Sequence, residues 1–301
     1  MSHGAEGQIA VMASAIDSSS PAAVGTGSQL ALVLGAGGAR GLSQIAVLEA
    51  LDELGVRPAL IAGCSIGAII GAAYAAGISG AALRAHVLSS FGDRARVIQR
   101  LLDARIGTLA DLMRGLGNPV LIDGERLLDL FWPEAVPDRF EELDIPFTAT
   151  AADYHRHTEV RLSQGPLTPA VAASLAIPGL VRPVSLGGQV LIDGGAINPL
   201  PYEALLAPDR VVLAVDVSAP PSGSGEARIP GAVEAIVGAS QILTRSLVQR
   251  MVVRQPPDIL IRTALEGIGG LDFFKARAIL AAAEPLKDEV KRALEAALSL
   301  R

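Results

Sequence analysis

Short apolar runs alternate with segments of helical periodicity along the first third of the chain. Residues 30–34 and 60–62 are uninterrupted apolar runs, as expected for strands that are buried on both faces. Between them, residues 42–54 place apolar side chains three and four positions apart, which predicts a helix that ends at Gly55. A second helix is predicted over residues 66–76. This order of strand, helix, strand and helix predicts parallel strands joined by right-handed crossovers.

The rest of the chain continues the alternation. Further strands are predicted at residues 145–153, 159–162, 190–192, 211–217 and 258–263. Helices are predicted at residues 168–175, 232–253 and 275–300, and residues 84–140 are expected to be mostly helical. We therefore expect an α/β fold with three layers, α/β/α, around a mainly parallel central sheet.

The sequence predicts one folded domain preceded by a tail. Residues 1–27 are rich in Ala, Ser and Gly and show no lasting period, so we expect a disordered tail there. Residues 28–218 carry most of the predicted strands and form the expected core. Residues 219–301 are expected to complete the same domain, with a flexible loop that contains three prolines followed by the C-terminal helices.

Composition narrows the possible partners. Half of the residues are hydrophobic, which allows a sizeable core, while the net charge of −6 argues against nucleic acid as a ligand. Cys64 is the only cysteine, so an internal disulfide is impossible. No metal-ligand cluster is visible, so neither a metal nor another cofactor is expected. No basic residue precedes the short apolar segment near the N-terminus, which argues against a secretory signal and favours a cytoplasmic location.

One long uncharged segment has two interpretations. Residues 59–83 contain no charged side chain and are long enough to span a bilayer. Five glycines and a turn motif within the segment instead favour a buried strand, a turn and a helix inside an α/β domain. A transmembrane helix remains the alternative.

The pentapeptide Gly-Cys-Ser-Ile-Gly at residues 63–67 lies between a predicted strand and a predicted helix. A G-x-S-x-G sequence in this context is a nucleophile elbow, in which a sharp turn exposes the serine hydroxyl at the carboxyl end of a strand. The small neighbours are needed because the backbone at this serine is strained. Cys64 adjoins the serine, but the glycine spacing centres on Ser65, which is therefore the candidate nucleophile. The first amides of the following helix, beginning with Ile66, favour negative charge beside it.

A glycine-rich loop, Gly-Ala-Gly-Gly-Ala-Arg-Gly at residues 35–41, follows the first predicted strand. Gly37 and Gly38 can turn their amides outward and form an oxyanion hole. Arg40 either adds positive charge beside the oxyanion or forms a structural pair, and the sequence leaves both roles open. A dinucleotide-binding fingerprint is the alternative for this loop, but Arg40 stands where that fingerprint needs glycine or alanine.

A serine nucleophile needs a base, and a carboxylate is the expected one. The four histidines fall in the predicted tail, on an exposed helix face or in a polar turn: His3, His86, His155 and His157. An α/β-hydrolase would place its histidine later in the chain. Asp193 is the best candidate because it ends an apolar strand, where ligand groups of an α/β sheet gather, and because Gly194 and Gly195 leave room around it.

The three motifs together resemble the patatin-like phospholipase family. Their order and spacing match the family, as do Ala-Ile-Pro-Gly at residues 176–179 and Asn-Pro-Leu-Pro at residues 198–201. The resemblance covers roughly residues 32–217. Two positions depart from the family pattern, Ala36 where glycine is frequent and Cys64 where threonine is common, and neither removes a catalytic group.

The resemblance implies a Ser–Asp dyad within a patatin-like catalytic core at residues 28–218. Ser65 would be the nucleophile, Asp193 the proton acceptor, and the amides around Gly37 and Gly38 the oxyanion hole, with Arg40 and Ile66 as further contributors. The remaining motif positions are Gly35, Gly41, Gly63, Gly67, Gly194 and Gly195.

The resemblance also implies the substrate and its partners. The substrate would be a lipid acyl ester, cleaved through an acyl-enzyme in lipid catabolism, as by a phospholipase A or a lipid esterase. The protein would contact a membrane surface peripherally and transiently. An acyltransferase or thioesterase on the same dyad, and a non-catalytic nucleotide-binding α/β module, are the alternatives.

Overall fold

We describe the protein from a computed structural model. The structure describes residues 29–91, 97, 105–106, 121–128, 132–218, 229, 231–263, 265 and 267–299. The predicted tail, most of the predicted loop at residues 219–231 and much of the segment 84–140 lie outside the described residues.

The strands are labelled in chain order. They are β1 Gln29–Leu34, β2 Leu60–Cys64, β3 Arg105–Ile106, β4 Leu121–Ile122, β5 Phe147–Asp153, β6 Thr158–Leu162, β7 Val184–Leu186, β8 Gln189–Asp193, β9 Arg210–Asp216 and β10 Ile259–Arg262. Five of them run parallel in the spatial order β10, β9, β1, β2 and β5, while β6, β7 and β8 join by antiparallel pairing. The predicted mainly parallel sheet is confirmed.

The α-helices lie on both faces of this sheet. They are α1 Gln44–Leu54, α2 Ile66–Ala75, α3 Gly80–Ser90, α4 Gly124–Leu128, α5 Leu167–Ser174, α6 Ala232–Arg254, α7 Ala276–Ala282 and α8 Leu286–Ser299. Side chains of β1 alternate between the faces: Leu32 packs in the core beneath α1, α2 and α8, whereas Ala31 and Val33 pack in a second cluster that includes Val248 of α6. The predicted α/β fold with helices on both faces is confirmed.

Strand β8 joins the sheet differently from the parallel strands. It pairs antiparallel with residues 151–153 of β5, while β2 pairs with residues 147–150. Strand β6 pairs with residues 149–153 and so occupies the other edge of β5, which leaves β2 and β8 sharing one edge. The carboxyl ends of β2 and β8 therefore meet head to head, with Cys64 and Asp193 opposite consecutive residues of β5.

Two predictions about helices are wrong in part. The single helix expected at residues 275–300 is two helices, because Pro285 has no N–H to donate and residues 283–285 form a turn. The described residues within the segment 84–140 include β3 and β4 as well as helices, since these short strands pair with each other and Ile122 also bridges Val181. Long-range pairing of this kind leaves no local periodicity.

The uncharged segment at residues 59–83 folds into β2, α2 and the first turn of α3. Gly55 follows α1 in the left-handed conformation that caps a helix, as predicted. Among the helices of the described residues, none has the length and apolar character needed to cross a bilayer.

Candidate active site

Ser65 lies at the sharp turn between β2 and α2. Its φ of 56° and ψ of −121° put a serine in a sparsely populated region of backbone conformation. Its carbonyl oxygen accepts the N–H groups of Ala68 and Ile69 and so starts α2. The strained turn places the side chain at the carboxyl end of β2, which is the geometry of a nucleophile elbow.

The elbow glycines allow close backbone contacts. A Cβ on Gly63 would lie 2.5 Å from the carbonyl oxygen of Gly67, and a Cβ on Gly67 would overlap the carbonyl of Leu34 at the end of β1. Only glycine at these two positions lets α2 start directly against the central strands. The elbow is therefore fixed in position relative to the sheet.

Ser174, at the end of α5, holds the elbow from the other side. The N–H of Ser65 donates to Ser174 Oγ at 2.9 Å, and Ser174 Oγ donates to the carbonyl oxygen of Thr150 at 2.6 Å. Ser174 is fully buried. Because its hydroxyl accepts the N–H of Ser65, that N–H has a partner within the protein. Ser174 was not predicted from the sequence, because it lies 109 positions away from Ser65.

The side chains of Ser65 and Asp193 form a direct hydrogen bond. Ser65 Oγ donates to Asp193 Oδ2 at 2.8 Å, and the N–H of Gly195 donates to Asp193 Oδ1 at 2.7 Å. Both side chains are nearly buried, with 5% of Ser65 and 8% of Asp193 exposed. From the sequence, Asp193 was expected at the end of a strand in the same kind of sheet as Ser65. Strands β2 and β8 belong to one sheet, and the two residues meet where these opposed strands end head to head.

Burial shapes the acidity of Asp193. Removal from water raises its pKa to about 6, and the hydrogen bonds from the Gly195 amide and the Ser65 hydroxyl partly oppose this rise. A carboxyl group with this pKa is largely ionised at neutral pH and is a stronger base than an ordinary aspartate. The arrangement suits proton transfer from Ser65.

The glycine-rich loop presents two amides to the same cavity. The N–H groups of Gly35, Ala36 and Ala39 donate to backbone carbonyls of neighbouring segments. Within the described part of the chain, the N–H groups of Gly37 and Gly38 have no acceptor. Both residues line a cavity with Ser65 and Asp193. These amides are thus available to an oxyanion.

The glycine-rich loop contacts the start of α2 and the segment that contains Gly270. A Cβ on Gly41 would overlap the side chain of Ile66, so the loop and the start of α2 are in direct contact. Gly38 has a φ of 60°, and a Cβ there would overlap the carbonyl of Gly270. The amide of Ile66, at the first position of α2, lies beside the loop as a further potential donor.

Arg40 is buried and tied to backbone oxygens. Its Nε donates to the carbonyl of Val217 at 3.3 Å and its Nη1 donates to that of Ile268 at 3.2 Å. Burial lowers the pKa of Arg40, as does the charge of Arg245, and Asp216 opposes both effects. These bonds join the loop to the segments after β9 and β10, which supports the structural role. Arg40 also lines the cavity of Ser65.

The three histidines within the described residues do not line this site. His86 is on α3, and His155 and His157 are exposed in the turn between β5 and β6; none of the three lines the cavity of Ser65. His3 lies outside the described residues. Across the described ranges, no group of three His, Cys, Asp or Glu side chains is placed to hold a metal ion.

A second cavity, almost wholly apolar, opens from the other side of Ser65. Its volume is about 240 Å³, and it shares Gly38, Ser65, Ile177, Gly270 and Leu271 with the first cavity. Its remaining walls are Ile66, Ile69, Phe91, Val97, Ile122, Leu127, Leu175, Leu180, Val181, Phe273 and Phe274. We call it the apolar cavity. The first cavity has a mixed lining, and we call it the polar cavity because its described lining, unlike that of the apolar cavity, includes charged, hydroxyl and amide side chains besides Ser65. Ser65 therefore lines both.

Known proteins are similar in sequence to this chain over the region that contains Ser65 and Asp193. A family model described as patatin-like phospholipase matches residues 32–206, which is more than half of the chain. An uncharacterized NTE family protein of Mycobacterium tuberculosis is 39% identical over 200 residues, covering 66% of this chain and 51% of that protein. A lysophospholipase of Cryptococcus neoformans is 31% identical over 195 residues, covering 64% of this chain and 11% of that protein.

The chain thus spans about half the length of this Mycobacterium tuberculosis relative. Among solved structures, VipD from Legionella pneumophila aligns with a TM-score of 0.44 and 14% identity, over 89% of this chain and 67% of that one. The family model includes the glycine-rich loop, the elbow with Ser65 and the turn with Asp193, and on this match the chain belongs to the patatin-like phospholipase family.

Proposed function

We propose that this protein is a serine acyl hydrolase that cleaves lipid acyl esters with Ser65 as nucleophile and Asp193 as base. One observation carries the proposal: the 2.8 Å hydrogen bond from Ser65 Oγ to Asp193 Oδ2, at the junction of a polar cavity and an apolar one. Lipid hydrolysis fits the membership of the patatin-like phospholipase family.

Acylation begins as Asp193 Oδ2 accepts the proton of Ser65 and Ser65 Oγ attacks the ester carbonyl carbon. The negative charge that develops on the carbonyl oxygen would be bound by the amides of Gly37 and Gly38, with Ile66 as a third donor. The bond to the leaving alcohol then breaks. Asp193 returns its proton to the alcohol oxygen, and the acyl group stays on Ser65.

Deacylation repeats these steps with water. Asp193 accepts a proton from the water that attacks the acyl-enzyme, and the same amides hold the second oxyanion. The bond between the acyl carbon and Ser65 Oγ then breaks, Asp193 returns its proton to Ser65 Oγ, and the fatty acid leaves. The pKa of about 6 suits Asp193 to both directions of transfer, because it is ionised at rest and can still carry the proton transiently.

The two cavities divide the substrate into an acyl part and an alcohol part. Among the residues that the structure describes, the apolar cavity has no charged lining side chain, so a bound acyl chain would lose water contacts on most of its surface. The polar cavity is lined by Ser218, Ser240, Gln241 and Thr244, which can bind the alcohol part of the ester. An acyltransferase or thioesterase would use the same dyad and differ in its acceptor or its leaving group.

The experiment tests two parts of the proposal, Ser65 as nucleophile and the apolar cavity as the binding site of the acyl chain. Purified protein is assayed with nitrophenyl butyrate and nitrophenyl dodecanoate, beside Ser65→Ala and Val181→Phe. Val181 is buried and lines the apolar cavity, so phenylalanine should fill it and lower kcat/KM for the dodecanoate about tenfold relative to the butyrate. Val253→Phe, exposed at the far end of α6, is the matched control and should not change the ratio.

Ser65→Ala should hydrolyse neither ester. Turnover retained in Ser65→Ala would remove Ser65 from the mechanism. An unchanged chain-length ratio in folded Val181→Phe would separate the apolar cavity from acyl binding.

A further inference from the structure

We propose that an exposed apolar rim around the mouth of the site is a lipid-docking surface, through which the protein sits on a bilayer or micelle while substrate enters. The rim consists of Ile236, Ile242 and Leu243 on α6 together with Leu271. The inference rests on the proposed function, since it names the surface through which the same site would reach a lipid aggregate.

The rim is formed by large apolar side chains in contact with water. Exposed fractions are 50% for Ile236, 58% for Ile242, 63% for Leu243 and 41% for Leu271. Scattered exposed apolar side chains are ordinary on protein surfaces, but clusters beside a cavity mark interaction sites. Ile236 and Leu243 are seven residues apart on a helix, so they lie on the same side of α6, two turns from each other.

Helix α6 contributes to the rim and to the site at once. Its inner face supplies Val237, Ser240, Gln241 and Thr244 to the polar cavity that contains Ser65 and Asp193. Its outer face over the same turns carries the exposed residues of the rim. The rim residues of α6 therefore lie on the same turns of the helix as residues that line the cavity of Ser65 and Asp193.

The rim is also continuous with the apolar cavity. Leu271 is exposed and lines both cavities, so it connects the apolar surface of the rim with the space beside Ser65. The side chain of Ile236 lies near Gly179, since a Cβ built on Gly179 would be 3.7 Å from it, and this segment supplies Ile177 and Leu180 to the apolar cavity. An acyl chain that leaves a lipid layer at the rim would meet Leu271 and then the apolar cavity.

The lack of charged side chains favours insertion of this part of α6 into a lipid layer. Residues 235–244 contain no charged side chain, while Glu234 and Arg245 flank the run. Burial of the outer face in the interface of a lipid layer would therefore desolvate no charge along these turns. Helices that lie in a lipid interface bury such an apolar face while the rest of the helix stays in the protein or in water.

A lipid surface fits the rim better than a second protein copy does. A protein that covered Ile236 and Leu271 would close the mouth through which a water-insoluble ester has to pass. A lipid layer at the same place both covers the apolar side chains and supplies the substrate.

The experiment measures binding separately from catalysis. The full chain carrying Ser65→Ala is sedimented with sucrose-loaded phosphatidylcholine vesicles, with and without the added pair Ile236→Ser and Leu243→Ser. The matched control carries Val253→Ser, which removes an 87% exposed apolar side chain from the far end of the same helix. All three substitutions are also made in the active background, to follow the hydrolysis of soluble nitrophenyl butyrate.

We expect the pair of substitutions to weaken vesicle partitioning at least about tenfold, because two large apolar side chains no longer enter the lipid. Val253→Ser should leave partitioning unchanged, and all variants should hydrolyse the soluble ester as the parent does. Equal partitioning of the pair and the control would overturn the docking surface. A dimer in sedimentation velocity that the pair of substitutions dissociates would overturn it as well, because the rim would then be covered by a second copy of the chain.

Failure of the proposed function gives a different result. In that case the protein that keeps Ser65 does not hydrolyse nitrophenyl butyrate. The vesicle partitioning of the Ser65→Ala series still shows whether the rim binds lipid.

Discussion

Asp153 and Asp193 end neighbouring strands, β5 and β8, and make similar turns with opposite consequences. In each, Oδ1 accepts the backbone N–H of the residue two positions later, His155 or Gly195. The pKa of Asp153 is nevertheless lowered to about 2, while that of Asp193 is raised to about 6.

Both carboxylates are buried, with 2% of Asp153 and 8% of Asp193 exposed, so the difference comes from their partners. Asp153 accepts the backbone N–H of Arg156 and forms an ion pair with its guanidinium at 2.7 Å, and these contacts stabilise the charged carboxylate. Asp193 is buried and receives its bonds from an amide and a hydroxyl, so burial outweighs them. A strand-end aspartate is thus a candidate base where, as at Asp193 among the described residues, no cation pairs with its carboxylate.

The largest effect should come from exchanging each carboxylate for an amide. Asp193→Asn keeps the shape and can still accept the Gly195 N–H, but it cannot take a proton from Ser65. We expect kcat/KM for nitrophenyl butyrate to fall about 10³-fold. Asp153→Asn is the matched control and should stay within about threefold of the wild type. Equal activity of folded Asp193→Asn would remove this residue as the base.

The pH dependence of activity should follow Asp193 alone. Protonated Asp193 cannot accept the Ser65 proton, so kcat/KM should be level above about pH 7 and fall about tenfold per pH unit below pH 6. The Asp153→Asn variant should show the same midpoint. A flat profile down to pH 4.5 in enzyme that is still folded by circular dichroism would contradict the role given to Asp193.

The free energy of unfolding at pH 8 should change in opposite directions in Asp193→Asn and Asp153→Asn. The folded-state pKa of Asp193 exceeds the ordinary 3.8, so its favourable contribution is present below about pH 4 and is lost as pH rises through 6. Ionised Asp193 then costs roughly 3 kcal/mol at pH 8, and Asp193→Asn should raise the free energy of unfolding there.

For Asp153 the sign is reversed. Its folded-state pKa lies below 3.8, so its contribution is present above about pH 4 and is lost as pH falls through 2. Asp153→Asn should therefore be less stable than the wild type at pH 8. Urea unfolding at pH 8 measures the free energy of unfolding of both variants. A change in the same direction in Asp193→Asn and Asp153→Asn would contradict the contrast between the two aspartates.

The smallest effect is expected from Ser174→Ala, which should disturb the position of Ser65 without changing the basicity of Asp193. Ser174→Ala leaves the N–H of Ser65 without its acceptor and loosens the strained elbow, so kcat should fall about tenfold with little change in KM. The midpoint of the pH profile should stay near 6, because Asp193 keeps its surroundings. A shifted midpoint would mean that Ser174 acts through the acidity of Asp193 instead.

Local sequence was sufficient for the parts of the site that depend on backbone conformation. The spacing of Gly63 and Gly67 around Ser65 predicts the elbow, because only glycine fits where Gly63 faces the start of α2 and Gly67 faces the end of β1. The two glycines after Asp193 marked that residue as a candidate for the base. The apolar runs predicted β1, β2 and β9 because strands buried on both faces need continuous apolar sequence.

Contacts between distant segments were not predictable in this way. The antiparallel direction of β8 depends on its pairing with β5, and the bond from Ser65 to Ser174 joins residues that no local pattern relates. The apolar cavity combines side chains from many elements. The charge state of Asp193 follows from its burial, which the three-dimensional structure alone reveals.

The most direct test of the Ser65–Asp193 pair is the site and rate of reaction with a fluorophosphonate, read by mass spectrometry of the digested protein. We predict one adduct, on the peptide that contains Ser65, with labelling at least about a hundredfold slower in Asp193→Asn and unchanged in Asp153→Asn. An adduct on another residue, or equal labelling rates in folded wild type and Asp193→Asn, would contradict the assignment of Ser65 as nucleophile and Asp193 as its base.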